Sequence, residues 1–269
     1  MQQLDIYQID AFTSQLFRGN AAAVVPLPAW LPDTTLLAIA QENNLSETAF
    51  VLELSAGHYF IRWFSPLTEI DFCGHATLAA AFAILLQQPQ LAEIRFSTKQ
   101  VGELTVRQQG DWLEMNFPAR RALPAVAIPP ALLAGLGVPP VAVLQSAQAW
   151  FAVYAEASTV QQLQPDFAKL QQLGPLDVVV TAPGVGVADG QYDFVSRYFW
   201  PANGGDEDPV TGSIHAGLAP YWAEQLAKTQ LLAYQASRRG GELRCQVQGD
   251  RVLVSGQALL YLQGQIRIA

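Results

Sequence analysis

The chain alternates apolar and polar positions over most of its length, but residues 75–87 are apolar at nearly every position. A helix that is apolar all round must be buried on all sides, so this stretch predicts a central helix wrapped by strands. The second half of the chain shows the same arrangement of strands and a central helix, which is predicted over residues 213–227.

The alternating segments predict strands, and turn residues separate them. The predicted strands are 5–12, 21–25, 48–54, 59–64, 94–97, a hairpin over 104–117, 141–153, 177–181, 192–199 and 243–268. Shorter helices are predicted over 33–42, 131–136 and 159–170. Residues 118–140 are rich in proline and are predicted to join two domains.

An internal repeat supports the division into two halves. The segments that match are Gly102-Glu103-Leu104 with Gln109-Gly110-Asp111, and Gly241-Glu242-Leu243 with Gln248-Gly249-Asp250. The glycines that open the central helices, Gly74 and Gly212, are separated by almost the same number of residues. The sequence therefore predicts an α+β fold of two pseudo-symmetric domains, residues 1–118 and 119–269.

Composition narrows the class of protein. The chain has 269 residues, of which 51% are apolar and 14% are charged, and its formal net charge is −8. Such an acidic globular protein is not expected to bind nucleic acid. Its longest apolar stretch, 76–86, is too short to cross a bilayer, and its first strand does not resemble a secretion signal. We expect a cytoplasmic protein with no membrane partner.

Both central helices begin with glycine and small polar residues. The first turn of a helix has N–H groups without intrahelical partners and lies at the positive end of the dipole. If the helix starts at Gly74-His75 and Gly212-Ser213 face one cleft, they are expected to bind a small anion such as a carboxylate from both sides.

Glu47 is a candidate acid/base group because it lies at the entrance of an apolar strand. Apolar neighbours such as Leu45 and Phe50 favour a carboxyl group that can hold and return a proton near neutral pH. The alternative is a solvated glutamate at a strand edge.

His75 is predicted in the first turn of the buried helix, where the dipole disfavours the imidazolium form and favours a neutral ring. A neutral imidazole there can exchange a proton with a substrate oxygen. The alternative is a histidine that only caps the helix or fills the core.

The acidic segment before the second helix contains the third candidate, Asp208, which Pro209 holds rigidly. The alternative is a run of acids that merely complements the helix dipole. Because no spaced histidine or carboxylate partners accompany this segment, we expect no metal there.

These candidates lie in motifs that resemble one protein family. The motifs are QIDAFTSQLFRGNAAAVV, NNLSETAFV, DFCGHATLAAAF and EDPVTGSIHAGLAPYW, in the family's order. Together they resemble the phenazine-biosynthesis PhzF-like isomerase family over essentially the whole chain. The resemblance implies a diaminopimelate epimerase-like fold, in which each domain is a barrel-like, mostly antiparallel sheet around its central helix and the active site lies in the cleft between the domains.

The resemblance also implies the chemistry. It predicts a homodimer that transfers protons without a cofactor. Glu47 is the implied acid/base, and His75, Asp208 and Ser213 are implied to line the site. The related epimerases use two cysteines, whereas here Cys73 precedes Gly74 but Thr211 precedes Gly212, and a threonine hydroxyl offers no accessible thiolate.

We therefore predict an isomerase that shifts a proton within a small carboxylate-bearing substrate through Glu47. The predicted substrate-binding residues are Cys73, Gly74, Thr211 and Gly212. Two alternatives stay open: an amino-acid or proline-type epimerase that uses Cys73, and a binding protein without turnover.

Overall fold

The computed structural model describes residues 1–187 and 191–268 and divides the chain into two compact units. The first unit contains Met1–Asn116 and the segment that begins at Ser255, and the second contains Phe117–Val254. The sequence analysis assigned the last segment to the second half. The structure differs because this strand pairs antiparallel with the first strand of the chain along its whole length, and hydrogen-bond partners decide which unit a strand joins.

The elements of the first 118 residues follow the predicted order closely. They are β1 Gln2–Ala11, β2 Asn20–Leu27, α1 Asp33–Asn43, β3 Glu47–Ser55, β4 His58–Phe64, β5 Glu69–Ile70, α2 Gly74–Gln87, β6 Glu93–Ser97, β7 Glu103–Gln109 and β8 Trp112–Pro118.

The remaining elements complete the second unit and return to the first. They are β9 Leu123–Pro124, α3 Pro130–Leu136, β10 Ala142–Gln145, β11 Ala149–Val153, α4 Ala157–Gln162, α5 Phe167–Leu170, a 3₁₀ turn Gln171–Leu173, β12 Asp177–Pro183, β13 Phe194–Trp200, β14 Gly205–Asp208, α6 His215–Leu226, β15 Gln230–Gln235, β16 Gly241–Gln248, β17 Arg251–Gly256 and β18 Ala258–Ile268.

The central helix of the first unit is buried as predicted. In α2 the residues from Gly74 to Ala81 are all buried, and the helix packs against β1, β2, β3 and β18. Small alanine side chains let the strands approach it closely. In the sheet around it, β2 and β3 are parallel, while β1 and β4 pair antiparallel with their neighbours β2 and β3. The mixed, mainly antiparallel sheet around an apolar helix confirms the predicted fold class.

The central helix of the second unit begins later than predicted. Residues 212–214 form a turn, and α6 starts at His215, so Ser213 precedes the helix. Pro220 lies inside this helix and has no N–H to bond the carbonyl of Ala216. That carbonyl accepts the backbone N–H of Arg120 instead, at 2.9 Å. The helix packs on β15 and β16.

The helix predicted over 159–170 is two short helices. α4 ends at Gln162 and α5 begins at Phe167, with Pro165 between them. Proline disfavours the helical conformation of the residue before it and breaks the hydrogen-bond ladder, which explains the interruption.

Each unit contains a bidentate arginine–glutamate pair at the corresponding place. Arg62 on β4 holds Glu69 on β5 with N–O distances of 2.6 and 2.7 Å. Arg197 on β13 holds Glu207 on β14 with distances of 2.7 and 2.9 Å. The planar guanidinium fork fixes both partners. In the second unit, this pair anchors the strand that ends at Asp208.

The repeated hairpin turns have the same backbone conformation. Gly110 and Gly249 have φ of 62° and 61°, in the left-handed region that glycine adopts without strain. The internal repeat of the sequence is therefore a repeat of structure. None of the helices in the described part of the chain has the length and apolar character needed to cross a bilayer.

Gly19 provides a test of the turn that leads into β2. Its φ is 65°, and a Cβ there would lie 2.1 Å from the carbonyl oxygen of Ala11. At Gly110 the φ is 62°, but a Cβ would meet no described atom within 4 Å. We expect Gly110→Ala to lower the free energy of unfolding by about 1–2 kcal/mol from backbone strain alone.

Gly19→Ala carries the same strain and a backbone clash in addition, so we expect it to cost about 1–3 kcal/mol more than Gly110→Ala. Urea denaturation of both variants measures the difference. Equal losses would show that the contact with Ala11 does not constrain this turn.

Candidate active site

Glu47 and His75 form a buried pair in the first unit. Glu47 is the first residue of β3, and His75 is the second residue of α2. The carboxylate Oε2 lies 3.0 Å from the imidazole Nε2. Their exposed fractions are 6% and 5%. The structure thus brings together two residues that the sequence analysis singled out separately.

The Oε2 atom of Glu47 retains hydrogen-bonding capacity. It lies 3.0 Å from His75 Nε2, and no donor among the described residues meets it with standard hydrogen-bond geometry. A buried acceptor without an aligned donor is unusual in a folded protein and points to a functional role. This oxygen can accept a proton or a ligand.

Asn20 and Cys73 also contact the imidazole ring. The amide nitrogen of Asn20 is 3.1 Å from His75 Nδ1, and the sulfur of Cys73 is 3.4 Å from the same nitrogen. Asn20 is 1% exposed. The sequence analysis missed Asn20, whose one hint was a polar residue at the entrance of the apolar strand β2.

The surroundings of His75 favour its charged form. Burial alone would lower the pKa of the imidazole, but the carboxylate of Glu47, 3.0 Å from the ring, raises it above the ordinary 6.5. This direction is opposite to the one that the sequence analysis expected from the helix dipole, because the Glu47 carboxylate is in direct contact with the imidazole. At neutral pH His75 can therefore act as a proton donor.

Cys73 is held as a thiol. Burial, together with the nearby Glu47 carboxylate, raises its pKa to about 11. A thiol with such a pKa is a weak base and a weak nucleophile at neutral pH.

The start of α2 adds backbone donors to this group of side chains. The N–H groups in the first turn of a helix have no intrahelical partners, so Gly74 and His75 present theirs at the same end of the helix as the imidazole. The turn is fixed by Thr77, whose hydroxyl and N–H both donate to the carbonyl of Cys73, at 2.5 and 3.1 Å. This geometry suits a carboxylate ligand.

The second unit brings Asp208 and Thr211 together. The hydroxyl of Thr211 donates to Asp208 Oδ2 at 2.5 Å. Gln235 connects their backbones, because it accepts the N–H of Thr211 at 2.9 Å and donates to the carbonyl of Asp208 at 2.8 Å. Gln235 was not predicted, since nothing in its sequence context distinguishes it from other strand residues.

Ser213 belongs to a different hydrogen-bond network. Its hydroxyl accepts from Gln148 at 2.9 Å, and the same amide donates to the hydroxyl of Tyr198 at 3.1 Å. Tyr198 in turn donates to Asp177 Oδ2 at 2.5 Å. The sequence analysis missed Gln148, Tyr198 and Asp177 as members of such a network.

Asp177 occupies in the second unit the position of Glu47 in the first. Glu47 begins β3 opposite Ala22 of the parallel strand β2, and Asp177 begins β12 opposite Ala149 of the parallel strand β11. The carboxylate of Asp177 accepts a hydrogen bond from the phenol of Tyr198, whereas Glu47 Oε2 is open, meaning that it has no hydrogen-bond donor of standard geometry among the described residues. Asp177 shares one sequence feature with Glu47, an acidic residue at the start of an apolar strand, and this feature could have identified it as a candidate.

His215 is buried and neutral. Its Nδ1 lies 2.9 Å from the carbonyl of Thr211, to which it donates, and burial lowers its pKa to about 4. It therefore orders the turn before α6 and carries no charge near neutral pH.

The fold and the relatives together define the chain as an enzyme of the isomerase class. A protein from Pseudomonas aeruginosa that is named an uncharacterized isomerase is 48% identical over 267 residues, which cover 99% of this chain and all of the relative. A predicted epimerase from the same species, with a TM-score of 0.73 over 99% of this chain and all of that one, is only 22% identical and supports the fold alone.

A family model described as phenazine biosynthesis-like protein matches residues 9–264. The crystal structure of a phenazine biosynthesis protein of the PhzF family from Enterococcus faecalis matches with a TM-score of 0.92 and 40% identity, over 99% of this chain and 100% of that one. The chain belongs to the phenazine biosynthesis-like protein family.

The histidines provide a test of the site's electrostatics. We expect His75 to titrate well above pH 6.5 and His215 at about pH 4. Proton NMR of the imidazole Cε1–H signals measures both midpoints, and His75→Gln and His215→Gln assign the signals among the three histidines of the chain. A His75 midpoint at or below the ordinary value would contradict the charge pairing with Glu47.

The same shifts act on stability in opposite directions. Charged His75 contributes stability that is fully present below about pH 6.5 and is lost as the pH rises through its raised folded pKa. Neutral His215 lowers stability as the pH falls from about 6.5 to 4, because there the unfolded chain binds a proton that the folded chain does not.

Proposed function

We propose that this isomerase shifts a proton between two positions of a small carboxylate-bearing molecule, with Glu47 as acid/base and without a cofactor. The supporting observation is the open Oε2 of Glu47, which is buried 3.0 Å from the Nε2 of His75. A water-excluded carboxylate with a free lone pair is suited to remove a proton from carbon.

In the proposed reaction Glu47 removes an acidified C–H proton from the substrate. The electron pair of that bond is delocalised into the conjugated system, and Glu47 returns the same proton to another carbon or to an oxygen. Substrate and product are isomers, so no oxidant, reductant or other reactant is consumed.

His75 and the start of α2 stabilise the charge that develops. The charged imidazole donates a hydrogen bond or a proton to a substrate oxygen or nitrogen. The backbone N–H groups of Gly74 and His75 bind the substrate carboxylate. We assign Cys73 to the substrate contacts as well.

We assign substrate contacts in the second unit to Asp208, Thr211, Gly212 and Ser213. Asp208 carries a carboxylate tied to Thr211, and Gly212 and Ser213 lie in the turn that opens α6. Assembly as a homodimer stays a prediction that the resemblance alone supports.

The epimerase that uses Cys73 is the less favoured candidate. Its mechanism needs a thiolate on each side of the substrate, but burial raises the pKa of Cys73 to about 11, and the second position is Thr211. Neither group is a ready base at neutral pH.

The first test is solvent exchange in D₂O, followed by proton NMR with a panel of small cyclic and unsaturated carboxylic acids. We expect the wild type to exchange a C–H proton of at least one panel member and to form an isomer. Glu47→Gln should lower that rate by about 10²–10⁴-fold, because an amide cannot accept the proton.

Glu53→Gln is the matched control, since Glu53 lies on the same strand and is exposed. It should keep the wild-type rate. If panel members bind to the wild type but are recovered without exchange or isomerisation, the binding-protein alternative is favoured instead. If Glu47→Gln keeps the rate, Glu47 is not the base.

Cys73→Ser distinguishes the epimerase. Under our proposal the variant loses less than about tenfold in exchange rate, because the hydroxyl keeps the shape of the pocket and no step passes through sulfur. In a thiol mechanism, loss of the general base should cost about 10²–10⁴-fold. The same exchange assay measures the difference.

A further inference from the structure

Three types of metal-binding donor lie close together in the buried part of the first unit, on Glu47, Cys73 and His75. A carboxylate oxygen, a sulfur and an imidazole nitrogen of these residues all lie within 4.8 Å of one another. Each of the side chains is buried, and Glu47 Oε2 is an acceptor that lacks an aligned donor among the described residues. The open oxygen is a second, independent indication that this point receives a ligand.

We propose that these three side chains form a reversible Zn²⁺ site that inhibits the enzyme. Binding of the metal requires only the three donors. The inhibition rests on the proposed function, because the ion occupies the oxygen that is proposed to accept the substrate proton.

Two of the three donor distances are close to those around a tetrahedral ion, and the third, between Glu47 and Cys73, lies within 4.8 Å. Zn–N, Zn–O and Zn–S bonds at tetrahedral angles place neighbouring donor atoms about 3.3–3.6 Å apart. His75 Nε2 lies 3.0 Å from Glu47 Oε2 and 3.9 Å from Cys73 Sγ. Side-chain shifts of a few tenths of an ångström bring these two distances into the tetrahedral range.

The donor types select the metal. Sulfur and imidazole nitrogen suit Zn²⁺, whereas Mg²⁺ and Ca²⁺ prefer all-oxygen sites. Three protein ligands leave the fourth position of the ion for water. Asn20 lies 3.1 Å from Nδ1 and, with its amide turned to present oxygen, can accept from that nitrogen as the outer partners of metal-bound histidines do.

Binding of the ion is balanced by release of protons. The thiol of Cys73 and the charged imidazole of His75 give up their protons to solvent, and the thiolate, the neutral Nε2 and the carboxylate bind the ion. Glu47 then has no free lone pair directed at the substrate. The expected consequence is an inhibitor that competes with the substrate.

The test is Zn²⁺ binding to the full chain, measured by competition with a chromophoric chelator after treatment with EDTA. We expect one equivalent to bind to the wild type. Cys73→Ser should weaken the affinity by about 100-fold or more, since loss of an outer partner alone costs 10–100-fold. Co²⁺ should give a sulfur-to-metal charge-transfer band in the wild type that Cys73→Ser lacks.

Cys245→Ser is the matched control, because Cys245 is the other buried cysteine and lies on β16. It should bind Zn²⁺ as the wild type does. Added Mg²⁺ should not displace Zn²⁺ from either protein. Thermal denaturation in EDTA checks that both serine variants are folded, and His75→Gln provides a second variant with weakened affinity if Cys73→Ser is not. Wild-type affinity in Cys73→Ser, or no bound equivalent in the wild type, would overturn the site.

Solvent exchange with and without Zn²⁺ separates the two proposals. If the protein binds Zn²⁺ but shows no turnover in EDTA, the metal site is supported and the proposed function is contradicted. If it shows turnover in EDTA but binds no Zn²⁺, the proposed function is supported and the metal site is contradicted. Turnover in EDTA that Zn²⁺ abolishes, and that substrate restores, supports both.

Discussion

The structure of the first unit depends on burial of a helix that has no polar face. Strands must cover α2 on all sides, so its N-terminal end is covered as well, although that end has N–H groups that require polar partners. β2 begins at Asn20 and β3 at Glu47, and because these strands are parallel and both pack on α2, their polar first residues gather at the same place. The candidate site is thus a consequence of how the helix is buried.

The two units share this plan but differ in what their carboxylates can do. Asp177 has the register position of Glu47, but Tyr198 donates a hydrogen bond to it, and burial together with the charge of Asp177 raises the pKa of that phenol well above 10. Burial also raises the pKa of Asp177. Duplication of a fold therefore preserved a polar strand entrance in both halves, while the neighbouring side chains made one carboxylate structural and left the other open.

The open carboxylate has an energetic cost. A buried charge is unfavourable unless it is paired and hydrogen-bonded, and Glu47 is close to the charged His75 without an aligned donor on Oε2. The turn at the start of α2, which Thr77 fixes by bonding the carbonyl of Cys73, holds His75 in place. Such incompletely satisfied polar groups are expected where a protein binds or transforms a ligand.

The sequence by itself determined the fold class, the two central helices and the repeated glycine turns, and it singled out Glu47 and His75 as candidates, because these follow from local periodicity, backbone conformation and motifs. Tertiary structure alone decided that β18 joins the first unit, that Asn20 and Cys73 contact the imidazole, and that the pKa of His75 shifts upward. Strand pairing, contact between residues far apart in the chain and the pKa of a buried group all depend on which side chains meet in space. Local sequence does not contain that information.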